Sequence, residues 1–176
     1  MSDLHQSDYV PSKARFRRML IKAGFFLLGR GLQSATRFDK DLHNDCADWP
    51  QGFRIAMQVL PGGPALLMEK KGKRLKFKGL KTDPDADLLI EIKNTATAFR
   101  MITAQIGAHH VYAEHKIGVV GNIADSMRFI RLVNKVEGYL FFGPLNKKIL
   151  KKQPKNNLRQ MVNTLHVYFL GIPFGI

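Results

Sequence analysis

The sequence predicts an α+β fold, with a five-stranded, mostly antiparallel sheet and helices packed against it. Three observations carry that reading. Four segments between residues 53 and 92 alternate apolar and polar side chains with the period of two that a half-buried strand requires. Short turns rich in Gly, Pro and Asp join them. From residue 94 the period changes to that of a helix, broken by one further short apolar strand.

Taken in order, residues 1–11 are a polar start, and residues 12–29 form a helix with Ser12 as its N-cap. Gly29-Arg30-Gly31 ends that helix, and residues 31–50 are mixed, closing on Trp49-Pro50. This divides the chain into a basic and apolar helical segment over 1–50, a core domain over 51–144, and a basic then apolar segment over 145–176. In the core domain, residues 53–60 make a strand and Pro61-Gly62-Gly63-Pro64 turns the chain. Residues 65–70 return, and Lys71-Gly72 leads into 74–78, where Arg74, Lys76 and Lys78 face water while Leu75 and Phe77 face inward. After Asp83-Pro84-Asp85, residues 86–92 make the fourth strand. Three short connections predict a meander, each strand antiparallel to the one before.

Asn94 then caps a helix on which Phe99, Ile102 and Ile106 share a face, with Gly107 at its end. Residues 116–120 are a fifth strand, and Asn122 caps a last helix with Asp125 in its first turn. On that helix Arg128, Arg131 and Lys135 form one stripe. Opposite them Ile123, Met127, Phe129, Ile130, Val133, Val136 and Leu140 cover half the circumference, wider than a sheet alone covers. Another helix or a ligand must supply the rest.

Lys and Arg total 28 against 14 Asp and Glu, a formal charge of +14 that calls for an anionic partner. The cations border apolar stretches: Lys13, Arg15, Arg17, Arg18 and Lys22 beside residues 19–28, and Lys147, Lys148, Lys151, Lys152, Lys155 and Arg159 before the uncharged stretch 161–176. That arrangement suits an anionic membrane surface better than a nucleic-acid groove. The expected membrane contacts are Arg15, Arg17, Arg18, Phe25 and Phe26, with Lys147, Lys148, Lys151 and Lys152. Neither apolar stretch reads as a membrane span: 19–28 is far short of about 20 residues, and Gly171, Pro173 and Gly175 break the other. The single Cys46 allows no internal disulfide and fits a reducing compartment, so a cytoplasmic protein attached peripherally to a membrane is expected.

No catalytic constellation stands out. His110 and the pair Glu114-His115 are separated by three residues where the inverted zinc signature has two, and neither His109 pairing does better, so no metal or other cofactor is expected. Ser34, Ser126 and Cys46 lack a nucleophile's context, and Asp83, Asp85 and Asp87 are accounted for by solvation. The chain reads as a non-enzyme. The alternative is a basic nucleic-acid-binding protein, for which Arg74, Lys76, Lys78 and Phe77 speak. Because Phe77 alternates with those cations it faces away from them, and a stacking platform needs both on one face, so no nucleic-acid partner is expected.

From residue 53 to about 139 the order of elements resembles the sterol carrier protein two family of lipid-binding domains. The likeness lies in the strand Asp85-Ala86-Asp87-Leu88-Leu89-Ile90, the helix carrying Phe99 and ending at Gly107, the segment Lys116-Ile117-Gly118-Val119-Val120-Gly121-Asn122, and the long helix from Ile123. It covers about half the chain. The resemblance implies a twisted five-stranded sheet with helices on one face, enclosing an apolar tunnel for a sterol, fatty acyl chain, phospholipid or polyprenyl quinone. It implies binding, presentation or transfer without chemistry. In size and in its leading apolar segment the chain is similar to a bacterial branch that assists ubiquinone biosynthesis, where lipid-modifying enzymes would be partners. It departs from the family in the histidines of 108–115 and in the segment after 147. The expected tunnel walls are Phe99, Ile102, Ile106, Ile117, Val119, Met127, Ile130 and Val133, since each buried methylene contributes about 0.8 kcal/mol to holding a lipid tail. Oligomeric state is left open.

Overall fold

The computed structural model describes residues 12–103 and 105–140. They form α1 (Ser12–Phe38), α2 (Lys40–Ala47), β1 (Arg54–Val59), β2 (Ala65–Lys71), β3 (Arg74–Lys81), β4 (Leu88–Ile92), α3 (Thr95–Ile102), α4 (Ala108–Ala113), β5 (Ile117–Val120) and α5 (Ile123–Leu140). The strands build one sheet in the order β3-β2-β1-β4-β5. Three pairings are antiparallel, and β1 with β4 is parallel. This is the α+β, mostly antiparallel architecture expected.

The meander fails at its last step. β4 does not pair with β3 but crosses to the far side of β1. Gln58, near the end of β1, donates from Nε2 to the Thr82 carbonyl at 2.8 Å. At the other end of β1, the Arg54 amide donates to Asp87 Oδ2 at 2.8 Å, and Arg54 Nη1 meets Asp85 Oδ2 at 2.6 Å. Residues 82–87 therefore travel the length of β1 across the sheet's outer face. Their path gives a physical reason why Ala56, Gln58 and Leu67 are buried on a face that otherwise carries charges. Six residues reach about 20 Å when extended, enough for the crossing. Asp85 and Asp87, assigned above to solvation alone, pin the register of the parallel pair.

The inner face follows the period of two. Ile55, Met57 and Val59 on β1 align with Met68 and Leu66 on β2, and with Leu88, Ile90 and Ile92 on β4. Leu75 is fully buried and Phe77 packs against the core, while Arg74, Lys76 and Lys78 are exposed, as the alternation predicts. Phe77 thus offers no stacking platform beside those cations.

Helix α1 is the main departure. It runs unbroken through Gly29-Arg30-Gly31 to Phe38, where the sequence reading stopped it. Ile21, Phe25, Leu28, Leu32 and Ala35 recur at helical spacing and enter the same hydrophobic cluster as the sheet. The glycines are contact points. A Cβ on Gly24 would lie 2.2 Å from Ile102 Cγ2, and one on Gly29 would lie 2.5 Å from Phe77 Cδ2. Their absence of side chains brings the helix close to α3 and β3, and packing outweighs the ordinary penalty of about 1 kcal/mol for a helical glycine. α1 also packs along α5, supplying the second helix that the wide apolar face of α5 demanded.

Side chains of α1 finish the outer strand as well. Thr36 Oγ1 accepts from the Leu75 amide at 3.2 Å, and Gln33 Oε1 accepts from the Phe77 amide at 2.9 Å. Residues 40–47 form α2, with Asp39 as N-cap accepting from the Asp41 amide. Buried Lys70 sends its ammonium to the carbonyls of Cys46, Ala47 and Trp49 at the end of that helix. Burial holds its pKa below the usual lysine range. α2 is tied to α5 by Arg128 with Asp48 at 2.8 Å and Lys135 with Asp45 at 3.1 Å. The Asn94 and Asn122 caps form as expected, accepting from Thr97 and Ala124 amides at 2.8 Å each.

Candidate functional site

Among the described residues, two apolar regions remain at the surface. Helix α1 is apolar on both sides, because its outward residues also recur at helical spacing. Phe16 is 56% exposed, Met19 58%, Phe26 40% and Leu27 41%. Arg15 and Lys22 are exposed at the border of that face, and Arg17 and Arg18 are exposed further round the helix. Arg17 sits over the Phe99 ring at 5.7 Å, and Arg30 over Phe26 at 5.6 Å. Phe26 also meets Phe77 edge-on at 5.8 Å.

The second region is the β5–α5 end. Val120, Ile123 and Met127 are exposed there. Along α5 the stripe Ile123, Met127, Ile130, Val133 grades from 64% through 40% and 5% to 1% exposure. One turn beyond Val133 stands Glu137, half-buried, whose carboxyl is pushed up to about 7 by burial. Ile130 and Val133 are thus covered by the protein itself, and the stripe is open at the end carrying Ile123 and Met127.

The expected tunnel walls fall into place unevenly. Ile117, Ile130 and Val133 are core residues, and Phe99, Ile102, Ile106 and Val119 are half-buried against that core. The sheet register sets Val119 beside Ile90 and Ile117 beside Ile92. Met127 alone of the eight is exposed. Ile102 is occupied against α1 at Gly24, so α1 fills part of the space the tunnel reading assigned to ligand. The clefts bounded by the β2–β3 hairpin and by the crossover loop contain none of the eight.

Among the expected membrane contacts, Arg15, Arg17, Arg18 and Phe26 are exposed, but Phe25 is corrected: it is 1% exposed and packs in the core. Phe25 lies on the same stripe as Ile21, Leu28 and Leu32, whereas Phe26 is one residue, about 100°, further round the helix. Lys147, Lys148, Lys151 and Lys152 lie outside the described residues. Of the histidine segment, residues 108–113 are helical, His110 Nε2 stands 3.0 Å from Glu114, and Lys116 holds the Glu114 carboxyl below its usual range. Burial pushes the Cys46 thiol up to about 12, which leaves it protonated and unreactive at neutral pH. Glu137 was missed by the sequence reading. Its signal was present, since it extends the Ile123–Met127–Ile130 spacing by two further turns.

The chain has the α+β class of a sheet with one helical layer. No protein-family model matches it, and no curated protein does. Among solved structures it is similar to a UbiJ-SCP2 ubiquinone synthesis protein, at 15% identity and TM-score 0.43, over 67% of this chain and 96% of that one. It is also similar to a sterol carrier protein 2, at 16% identity and TM-score 0.46, over 65% and 93%. The apo sterol carrier protein 2 from Yarrowia lipolytica matches at 12% identity and TM-score 0.42, over 64% and 88%.

Proposed function

We propose that the chain is a non-catalytic domain that binds a lipid at an anionic membrane surface and presents or transfers it. The observation that carries this reading is the outward face of α1. Phe16, Met19, Phe26 and Leu27 stand exposed, with Arg15 and Lys22 at the border of their face and Arg17 and Arg18 further round the helix. Apolar side chains enter the acyl boundary while neighbouring cations stay with anionic headgroups. No helix among the described residues is long and apolar enough to cross a membrane, so the contact made here is in the interface. Lys147, Lys148, Lys151 and Lys152 add a second cationic contact in this reading.

The lipid tail follows the stripe from Ile123 and Met127 toward Ile130 and Val133, and Glu137 meets its polar end. The resemblance to the quinone-biosynthesis branch makes a polyprenyl quinone intermediate the first ligand to test, with lipid-modifying enzymes as the partners served. The experiment pairs native mass spectrometry of the purified chain with flotation on phosphatidylcholine vesicles containing phosphatidylglycerol. A co-purifying lipid is expected, together with flotation that weakens with salt and is lost on Phe16→Glu with Met19→Glu. A lipid-free protein that does not float overturns the reading.

A further inference from the structure

A cleft of about 660 Å³ lies where the β2–β3 hairpin meets the ends of α1 and α2. Its wall carries Arg37, Lys71, Lys73, Arg74 and Lys76, with Gln33 and His43, and no carboxylate among the described residues. The five cations are exposed, and among the described residues none of them is ion-paired. His43 also lines the cleft, with its Nε2 closed off from solvent.

The scaffold holding these groups is fixed. Gln51 clamps the hairpin turn from both sides, donating to the Gly72 carbonyl at 3.0 Å and accepting from the Gly72 amide at 2.7 Å. Gly72 takes φ +64, the left-handed conformation the turn requires. Thr36 and Gln33 fasten β3 to α1. Cations therefore approach the cleft from α1 and from the hairpin.

We infer that this cleft is a binding site for a phosphoryl group. A tetrahedral oxyanion takes charge-assisted hydrogen bonds from several directions at once, as donors on α1 and the hairpin provide, and a planar carboxylate uses fewer of them. The cleft is large enough for the organic part of a phosphate ester as well. It stands apart from the apolar regions of α1 and α5, and this inference does not rest on the lipid reading.

The test titrates the full-length chain with inorganic phosphate at physiological salt, followed by calorimetry and phosphorus NMR. Saturable binding is expected. Lys73→Gln with Arg74→Gln, both exposed and safe for folding, should weaken it about tenfold or more, since each removes a charge-assisted contact. Lys78→Gln with Lys81→Gln removes the same charge from residues that line a different cleft and should leave binding within about twofold, because no direct contact to the anion is lost. Phosphatidic-acid vesicles and soluble glycerol phosphate separate the sources. Loss of vesicle binding in the Lys73/Arg74 variant assigns a lipid headgroup, and loss only for the soluble ester assigns a free metabolite. Absence of saturable phosphate binding, or equal weakening in both double variants, overturns the site.

Discussion

Gly29→Ala sets two opposing effects against each other, and the structure decides the sign. On helix propensity alone, alanine in place of a mid-helix glycine stabilises by about 1 kcal/mol. Here the new Cβ would stand 2.5 Å from Phe77 Cδ2 and 2.7 Å from Leu66 Cδ1. Relaxed carbon contacts lie at about 3.5–4.0 Å, so the shortfall is about 1 Å against two side chains. Leu66 is fully buried, and the Phe77 ring is held edge-on against Phe26, so neither gives way freely. Overpacking of this kind costs about 1–3 kcal/mol, which outweighs the propensity gain. Urea unfolding of the full-length chain, followed by circular dichroism, should show Gly29→Ala destabilised by about 1 kcal/mol on that balance. In a Phe77→Leu background the ring is gone and the penalty should shrink or reverse. A Gly29→Ala protein that gains stability in the parent sequence would refute the close approach of α1 to β3.

Two further outcomes follow from buried charged groups. Glu137 has its folded pKa raised from 4.5 to about 7 by burial. Stability linked to it is therefore full below pH 4.5 and is lost as pH rises through about 7. Glu137→Gln should match the parent in acid and exceed it above neutrality by up to about 3 kcal/mol, read from urea midpoints across pH; parallel pH profiles would show that the carboxyl is solvated. Lys70→Met keeps the aliphatic stem but strips the donor from three carbonyls at the end of α2, and should cost about 1–3 kcal/mol by the same assay. An unchanged midpoint would mean that those carbonyls find other donors.

Strands were legible in the sequence because alternation is a local signal: Arg74, Lys76 and Lys78 against Leu75 and Phe77 needed no knowledge of neighbours. Asn94 and Asn122 were legible as caps for the same reason. The partner of β4 was not, since a six-residue connection reads identically as a hairpin turn or as a crossover. What settles it is the grip of Arg54 on Asp85 and Asp87, more than thirty positions apart. The continuation of α1 through Gly29 and Gly31 was hidden by the same long-range effect, because glycine ends helices unless a neighbour requires the missing side chain. At the candidate site, the inward direction of Ile117, Ile130 and Val133 was readable, while the burial of Phe25 depended on which face of α1 the sheet would claim. The basic cleft brings together Arg37 of α1, His43 of α2 and Lys73 and Arg74 of the β2–β3 hairpin, which no local pattern reveals.

Thr36 and Gln33 have a consequence for how this protein meets other chains. An outermost strand ordinarily offers a row of free amides that a foreign peptide can zip onto, or that a second copy can stack against in aggregation. On β3 the Leu75 and Phe77 amides are already taken from within the molecule. The opposite margin, β5, is only four residues long. Recognition by backbone pairing is thereby discouraged at both margins, and association falls to side chains, whose chemistry can be tuned one residue at a time.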